Sequence, residues 1–446
     1  MEYTKSEFLE DLFSILNTNQ IDYFVVGEYR NLPESTGNNE LGIMVNPIEA
    51  HRLMSLFADL IKRFNIKIVS FYTNNNVLFY RLFCVSVNYW GLQLDLYSKG
   101  CFYQVNDFYP VELIKNDILL YRGIRVLDLR KAYTIAFLKD IVHKGWSSDT
   151  YTNAFVEEVT SNELKYRAQF TQLYGSEFVE LLFQNLSLEK LFTKTAALGK
   201  IIHHKIFRNP FSIKKQLSQR IQFLRRAFYK PGYTIAFLGT DGSGKTTIID
   251  RVKPVLNEAY RKSVYYEHLR PNLIPTIAVL LGKKNESDQP DYDPHSKKQF
   301  GVLESILRFN YYMIDYVFGY WLKVYPKKAF RSCVWIFDRY YYEYFIDPRR
   351  TRISLPRWAF TLGLISIPKP DLIICLGANP EIIHARKPEV PLQEVTRQVN
   401  ELISFYKKHK NAAWIDTNCC VDRSVADTLN AISHLMENRF KSIKLP

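Results

Sequence analysis

The residues with the clearest chemical potential form a glycine-rich run at 239–247, Gly-Thr-Asp-Gly-Ser-Gly-Lys-Thr-Thr. The run fits the pattern G-x-x-x-x-G-K-[ST]. In this pattern the backbone N–H groups surround phosphates, the lysine reaches the β- and γ-phosphates, and the hydroxyl after it binds Mg²⁺. We therefore predict a site for ATP and Mg²⁺ whose binding residues are Gly239, Asp241, Gly242, Ser243, Gly244, Lys245, Thr246 and Thr247.

The residues on either side of this run supply the structural context that it needs. Tyr233–Leu238 is β-branched and aromatic, which is typical of a buried strand. Ile248, Ile249 and Val252 follow at near-helical spacing. The run therefore lies between a strand and a helix, where the N-terminus of the helix favours the negative charge of phosphates.

A second set of polar residues follows the predicted strand Cys333–Phe337, as Asp338-Arg339-Tyr340. A carboxylate at the carboxyl end of a neighbouring parallel strand is where Mg²⁺ or its water is held. Arg339 is suited to bind the phosphate of a second substrate. We predict Lys245, Asp338 and Arg339 as catalytic residues, and Thr246 and Asp338 as metal ligands.

With these two motifs, residues 232–435 resemble the thymidylate kinase family, in which a D-R-[YFH] motif follows the phosphate-binding loop on a later strand. The strand Pro370–Leu376, Asn379-Pro380-Glu381 and Ile415-Asp416 also resemble parts of that family. The resemblance implies an ATP- and Mg²⁺-dependent kinase. It also implies that Arg386 and Arg397 are lid residues over ATP.

The chain departs from that family where the thymidine-binding segment usually reads Arg-Glu-Pro. Here the comparable residues are His268-Leu269-Arg270-Pro271, and a long insertion with Asp293-Pro294-His295 follows. This combination resembles a divergent branch of thymidylate kinase-like proteins that is often associated with bacterial surface-polysaccharide genes. The resemblance therefore predicts that dTMP is a poor acceptor.

The region of these motifs contains more cationic side chains than one triphosphate requires. They are Arg308, Arg339, Arg349, Arg350 and Arg352. Arg binds phosphate with two hydrogen bonds, so a second anionic substrate is expected: a nucleotide, a sugar phosphate or a glycan end. Salt bridges with Asp315, Glu343 and Asp347 are the alternative for these arginines, and a structural role is the alternative for His268 and His295. The predicted acceptor contacts are Asp241, His268, Arg270, Arg308, Arg339, Tyr340, Arg349 and Arg350.

The N-terminal region contains a weaker resemblance, over about residues 20–125, to nucleotidyltransferase-fold proteins. Those proteins have a glycine after the first strand, then D-x-D, then a third carboxylate on a later strand. Gly27 and Asp95 match, but Glu40 and Gly42 stand at the D-x-D positions. Two-metal chemistry needs clustered carboxylates, so we predict an inactive or purely binding domain.

Patterns along the chain predict three regions, of which the first, 1–125, has short strands and is α+β. Residues 126–230 have helical patterns, and 231–446 alternate strands and helices. The last region therefore predicts an α/β P-loop kinase domain with a parallel sheet.

The net charge of +14 is concentrated, because every charged residue from Lys190 to Thr240 is basic. With its helically spaced apolar residues, this stretch favours a linker helix packed on the next domain. Contact with an anionic membrane surface is the next alternative, and nucleic-acid binding the last.

The N-terminus lacks the apolar core of a signal peptide, and no uncharged apolar run has the length of a membrane span. The cysteines have no C-x₂-C spacing. We expect a cytoplasmic protein, with a peripheral position at the inner face of the membrane as the alternative, and an oligomer is compatible with the sequence.

The pattern as a whole favours a kinase that phosphorylates a small anionic acceptor. A regulator or scaffold that uses nucleotide binding as a switch is the second hypothesis. An active nucleotidyltransferase is the third, and Gly42 argues against it.

Overall fold

The computed structural model describes residues 3–37, 40–74, 77–85, 88–97, 108–207, 217, 220–221, 223–228, 230–261, 263–280, 282 and 298–440. The chain divides into two compact units. Unit 1 comprises Met1–Arg225 with Ile443–Pro446, and unit 2 comprises Arg226–Ser442. No helix among the described residues is long and apolar enough to cross a lipid bilayer.

Unit 1 is built on a mixed sheet of seven strands in the order β3-β4-β5-β2-β1-β7-β6. Two 3₁₀ helices, Pro47–Glu49 and Val111–Asp117, lie between its elements. The strands are β1 Tyr23–Val26, β2 Glu40–Val45, β3 Ile66–Asn74, β4 Val77–Cys84, β5 Trp90–Tyr97, β6 Ile118–Tyr121 and β7 Ile124–Leu127. The helices are α1 Lys5–Thr18, α2 Ala50–Arg63, α3 Leu129–Lys144, α4 Asp149–Ser161, α5 Glu163–Tyr174, α6 Ser176–Gln184 and α7 Leu188–Phe207.

Both faces of this sheet are covered, because alternate residues of each strand point to opposite sides. Tyr23 and Val25 of β1 pack with α1 and α2, whereas Phe24 packs with the helices that follow β7. The helical region 126–230 thus contributes α3 to α7 to the core of unit 1, and residue 125 lies inside β7. The basic helix α7 buries Leu191, Leu198 and Ile202 in this core, whereas Arg208, Lys214 and Lys215 lie outside the described residues.

Unit 2 contains a fully parallel sheet of five strands in the order β12-β11-β8-β10-β9. The strands are β8 Tyr233–Leu238, β9 Val264–His268, β10 Val334–Asp338, β11 Leu372–Gly377 and β12 Ala412–Asp416. A π-helix, Asp315–Val324, joins α10 to α11. The helices are α8 Lys245–Tyr260, α9 Ile277–Leu280, α10 Val302–Ile314, α11 Tyr325–Phe330, α12 Glu343–Ile346, α13 Pro348–Thr351, α14 Arg357–Gly363, α15 Pro380–Arg386, α16 Leu392–Lys408 and α17 Val421–Phe440.

Strand β8 is completely buried in the middle of this sheet, between β10 and β11. Since parallel strands end at the same edge, the residues that follow β8, β10 and β9 meet there. Asp338 pairs in register with Phe237 on one side and with His268 on the other. The phosphate-binding loop, Asp338 and His268 therefore share one edge of the sheet.

The loop after β9 is attached to the π-helix by the carboxylate of Asp315, which is fully buried. Arg270 donates to Asp315 Oδ2 at 2.6 Å. Three backbone N–H groups also donate to this carboxylate at 2.7 to 3.1 Å, those of Asn272, Leu273 and Ile274. The interaction fixes the start of the long insertion beside the functional edge.

We expect Asp315→Asn to lower the free energy of unfolding of unit 2 by about 3–5 kcal/mol, because Arg270 would remain charged and buried without its partner. Urea denaturation followed by tryptophan fluorescence measures this loss. Glu304→Gln in α10 is the control, because Glu304 forms an exposed pair with Arg308 and should change stability by about 0–1 kcal/mol. Equal effects of the two substitutions would contradict the role given to Asp315.

Candidate active site

The phosphate-binding loop joins β8 to the first turn of α8, a helix of 16 residues. Two of its glycines are required by geometry. A Cβ at Gly239 would lie 2.6 Å from Ser243 Oγ and 2.7 Å from the carbonyl oxygen of Leu376, and Gly244 has a φ of +85°. The loop therefore presents its backbone N–H groups at a helix N-terminus, which is a binding site for phosphates.

Lys245 lies folded over this loop, where its Nζ donates to the carbonyl oxygens of Gly239 at 2.6 Å and Thr240 at 2.9 Å. Burial, reinforced by the nearby charge of Arg339, lowers the pKa of Lys245 to about 8. The ammonium group is thus poorly compensated by its present partners. Phosphate oxygens would be stronger acceptors for it than the two carbonyl groups.

Asp338 ends β10, and each of its two carboxylate oxygens has a different environment. Oδ2 accepts a hydrogen bond of 3.0 Å from the hydroxyl of Tyr266, whereas Oδ1 is buried and has no hydrogen-bond partner among the described residues. Burial, with a further contribution from Asp338, raises the pKa of Tyr266 above its usual value, so this hydroxyl remains a donor. Tyr266 was not singled out from the sequence, although its position in β9, two residues before His268, places it on the same face of that strand.

Arg339 is the centre of a buried network of charges. Its guanidinium contacts the carboxylates of Asp241 and Glu343, and the other oxygen of Asp241 contacts Arg350. The φ of Arg339 is +71°, a left-handed conformation that is rare for residues other than glycine. Burial alone would raise the pKa of Asp241, but the charges of Arg339, Lys245 and Arg350 outweigh this effect and hold it well below its usual value.

Glu343, in α12, was named from the sequence only as a salt-bridge alternative for the arginines, and the structure pairs it with Arg339. Its Oε1 faces Arg339, while its Oε2 is buried and has no hydrogen-bond partner among the residues that the structure describes. Burial raises the pKa of Glu343 above its usual value, although Arg339 opposes the change. The helical spacing of four residues from Arg339 was the available signal, but it does not show that the pair is buried.

His268 ends β9 directly beside Asp338. Burial lowers the pKa of His268 to about 4, and Asp338 only partly offsets this effect. The imidazole is therefore neutral near pH 7 and has one donor and one acceptor nitrogen.

The other residues predicted to contact the acceptor mostly have partners within the chain. Arg270 is hydrogen-bonded to Asp315, and the guanidinium carbon of Arg270 lies 4.9 Å from the ring centre of Tyr312. Arg308 pairs with Glu304 and lies over Phe300. Tyr340 is buried in the core, where its hydroxyl donates to the carbonyl of Pro368 at 2.7 Å. Arg349 is exposed, and His295 lies outside the described residues.

The two predicted lid residues also have partners within the chain. Arg386 donates to the carbonyl oxygen of Thr417 at 2.8 Å, near the end of β12. Arg397 forms two hydrogen bonds with Glu394, at 2.6 and 2.9 Å, and a third with the carbonyl oxygen of Ile346. Arg397 is therefore committed to α16 and α12 in this conformation.

The residues present fit a magnesium ion. Asp338 Oδ1 is a buried carboxylate oxygen without a donor, and Thr246 supplies a hydroxyl in the first turn of α8. Mg²⁺ prefers such oxygen ligands and usually takes the remaining ones from phosphates and water. Thr246 is exposed and thus accessible to a bound ion.

In the sheet of unit 1, a side chain at residue 42 would be crowded by its neighbours. A Cβ at Gly42 would lie 3.0 Å from the carbonyl oxygen of Val26 and 3.2 Å from the ring of Tyr97. Asp95, the register partner of Gly42, is buried and accepts a hydrogen bond of 2.9 Å from Gln93.

The lowered pKa of Lys245 leads us to expect that affinity for MgATP falls as pH rises. Phosphates bind the charged form, so above about pH 8 the free protein must first take up a proton, and affinity should fall about tenfold per pH unit. Calorimetric titration between about pH 6.5 and about pH 9.5 measures this dependence. In Lys245→Arg the cation stays protonated, so its affinity should not vary. A flat profile for the wild type would contradict the assignment.

No protein-family model matches this chain, and no curated protein sequence matches it. Among solved structures, a thymidylate kinase from Ehrlichia chaffeensis is a distant neighbour, with 15% sequence identity and a TM-score of 0.32. The match covers 45% of this chain and 98% of that kinase.

Proposed function

We propose that unit 2 is an ATP-dependent phosphotransferase that transfers the γ-phosphoryl group to a small anionic acceptor. One observation carries the proposal: a phosphate-binding loop with its lysine, an aspartate at the end of β10, and a cluster of arginines meet at a single edge of the sheet. Phosphoryl transfer requires mainly positioning and neutralisation of charge, and these residues supply both.

On the donor side, the loop N–H groups and Lys245 bind the triphosphate. Lys245 exchanges its two carbonyl partners for phosphate oxygens, which turns the ammonium group toward the β- and γ-phosphates. Thr246 and Asp338 would hold Mg²⁺, and the ion would supply positive charge to the phosphates. Tyr266 fixes the orientation of Asp338, so that the free oxygen Oδ1 remains available.

On the acceptor side, the carboxylate of Asp241 lies between Arg339 and Arg350, which is where a phosphate or carboxylate of an acceptor would be bound. When Asp241 turns away, an acceptor anion would accept hydrogen bonds from the same two guanidinium groups. His268 offers a neutral hydrogen bond next to this position. A nucleotide, a sugar phosphate and an anionic glycan end all fit these groups.

The segment that stands in place of Arg-Glu-Pro argues against dTMP. Arg270 stands in the segment that replaces Arg-Glu-Pro, but it is bound to Asp315 and packs against Tyr312. It is therefore not available to hold a thymine base. We propose that dTMP is a poor acceptor.

The direct test is to incubate the full chain with ATP labelled at the γ-phosphate, Mg²⁺ and a panel of nucleoside monophosphates, sugar phosphates and glycans. Transfer of label to one class of anionic acceptor supports the proposal. Tight ATP binding without transfer to any compound, even at high enzyme concentration, would favour a nucleotide-dependent switch instead. If dTMP were the best acceptor, the proposal that this chain differs from thymidylate kinases in its acceptor would be wrong.

Substitution of the two arginines should separate acceptor use from ATP binding. Hydrogen bonds to charged groups are worth roughly 1.5–3 kcal/mol, so Arg339→Ala and Arg350→Ala should each lower kcat/KM for the acceptor about ten- to a hundredfold. The Kd for MgATP should remain nearly constant. Arg308→Ala is the matched control, because Arg308 is committed to Glu304 and Phe300.

Arg339 is buried, so its substitution could impair folding. Thermal melting of each variant, together with the conservative substitution Arg339→Lys, distinguishes a folding defect from a loss of acceptor binding. Lys245→Ala should bind triphosphate weakly and transfer no phosphoryl group. If Arg339→Ala lost ATP binding but used the acceptor as well as the wild type, Arg339 would belong to the ATP site and the assignment of the donor and acceptor sides would be wrong.

We further propose that unit 1 performs no nucleotidyl transfer. Asp95→Asn should leave phosphoryl transfer unchanged, because a single buried carboxylate beside Gly42 does not hold two metal ions. Mass spectrometry of the panel after incubation with each nucleoside triphosphate detects any nucleotidyl adduct. An adduct that Asp95→Asn abolishes would overturn this interpretation.

A further inference from the structure

The chain before β8 contains a helical segment with an exposed apolar face. All described residues between 217 and 228 are helical, namely 217, 220–221 and 223–228. Four of them share a face at helical spacing and are exposed: Leu217 (59%), Ile221 (45%), Leu224 (60%) and Phe228 (85%). We call these four residues the apolar stripe. Apolar side chains in this arrangement normally have a cover.

The opposite side of this segment is fixed to α11. Arg226 donates to the carbonyl oxygen of Phe330 at 3.2 Å, and the hydroxyl of Tyr325 donates to the carbonyl oxygen of Ala227 at 2.9 Å. Arg226 is two positions from the nearest members of the apolar stripe, so it lies on the other side of the helix. The segment is therefore held by one side while its apolar stripe faces water.

The charges around the apolar stripe are all positive. Arg220 and Arg225 are exposed, and each is three or four residues from two members of the stripe, so the two arginines flank it on opposite sides. The stretch from Lys190 to Thr240 contains eleven lysines and arginines and no aspartate or glutamate. Four of these cations are exposed on α7: Lys190, Lys194, Lys200 and Lys205. The partner that covers the stripe should therefore be anionic.

We propose that this segment binds the surface of a lipid bilayer that contains anionic phospholipids. A helix with leucine and phenylalanine on one face and basic residues beside it lies in the plane of a bilayer, with the apolar face among the acyl chains. Arginine side chains at the edge of such a face reach back to the headgroups. The headgroups supply the negative charge that this stretch of the chain lacks.

Other anionic partners match only part of these observations. A nucleic acid would neutralise the arginines, but its phosphates are bound by basic and polar groups and would leave the apolar stripe in water. A flat lipid surface suits the segment further, because it requires only one face and the other is engaged by α11. The proposal is independent of the phosphotransferase activity proposed for unit 2.

The test is co-sedimentation of the full chain with lipid vesicles. The wild type should bind vesicles of mixed phosphatidylcholine and phosphatidylglycerol, bind vesicles of phosphatidylcholine much more weakly, and lose binding in high salt. Leu224→Glu and Phe228→Glu should each lower the partition coefficient about tenfold or more, because each places a carboxylate in the apolar stripe. Arg220→Gln and Arg225→Gln should each lower it about fivefold.

Ile365→Glu is the matched control. Ile365 is 82% exposed, like Phe228, but lies outside the basic stretch. This variant should bind mixed vesicles as the wild type does. Circular dichroism and thermal melting of every variant show whether it remains folded.

Four results would overturn the proposal. The first is a wild type that does not bind the mixed vesicles, and the second is equal binding to neutral and mixed vesicles. The third is wild-type binding by both Leu224→Glu and Phe228→Glu. The fourth is binding of a DNA duplex at physiological salt without binding of vesicles, which would make nucleic acid the partner. If the wild type bound no vesicles and Phe228→Glu melted at a lower temperature, another part of the chain would cover the apolar stripe.

Discussion

The position of β8 between two parallel neighbours is the constraint on which the candidate site depends. A strand in the middle of a parallel sheet must be apolar on both faces, so it can present polar chemistry only beyond its carboxyl end. The glycine-rich loop occupies that end, and β9 and β10 deliver His268 and Asp338 to the same edge. The other residues of the site contact residues at this edge: Tyr266 donates to Asp338, and Arg339 and Arg350 contact Asp241 of the loop.

The two arginines of the site are paired with carboxylates of the chain. Arg339 contacts Asp241 and Glu343, and Arg350 contacts the other oxygen of Asp241. A buried cation without such partners would be strongly destabilising. Arg339 and Arg350 are thus already engaged in ion pairs, so any anion that binds either guanidinium must displace a carboxylate.

The local parts of this picture could be read from the sequence. The strand and helix around the loop lie where hydrophobic patterns indicated, and the predicted strand Cys333–Phe337 differs by one residue from the observed Val334–Asp338. Long-range partners could not be read. Asp241 and Arg350 are 109 residues apart, and neither their proximity nor the binding of Arg270 by Asp315 follows from any local pattern. The excess of arginines indicated anion binding, but burial and pairing, which emerge only from packing, determine which of them are near the loop.

The surroundings of Gly42 limit what the sheet of unit 1 accepts at this position. Gly42 lies opposite Val26 of β1 and Asp95 of β5, at a point where three strands pair. A Cβ there would lie 3.0 Å from the Val26 carbonyl oxygen and 3.2 Å from the Tyr97 ring, so any residue with a side chain would require its neighbours to shift. The closer neighbour is backbone, so a substitution at this one position would disturb the pairing of β2 with β1 as well as the packing of Tyr97.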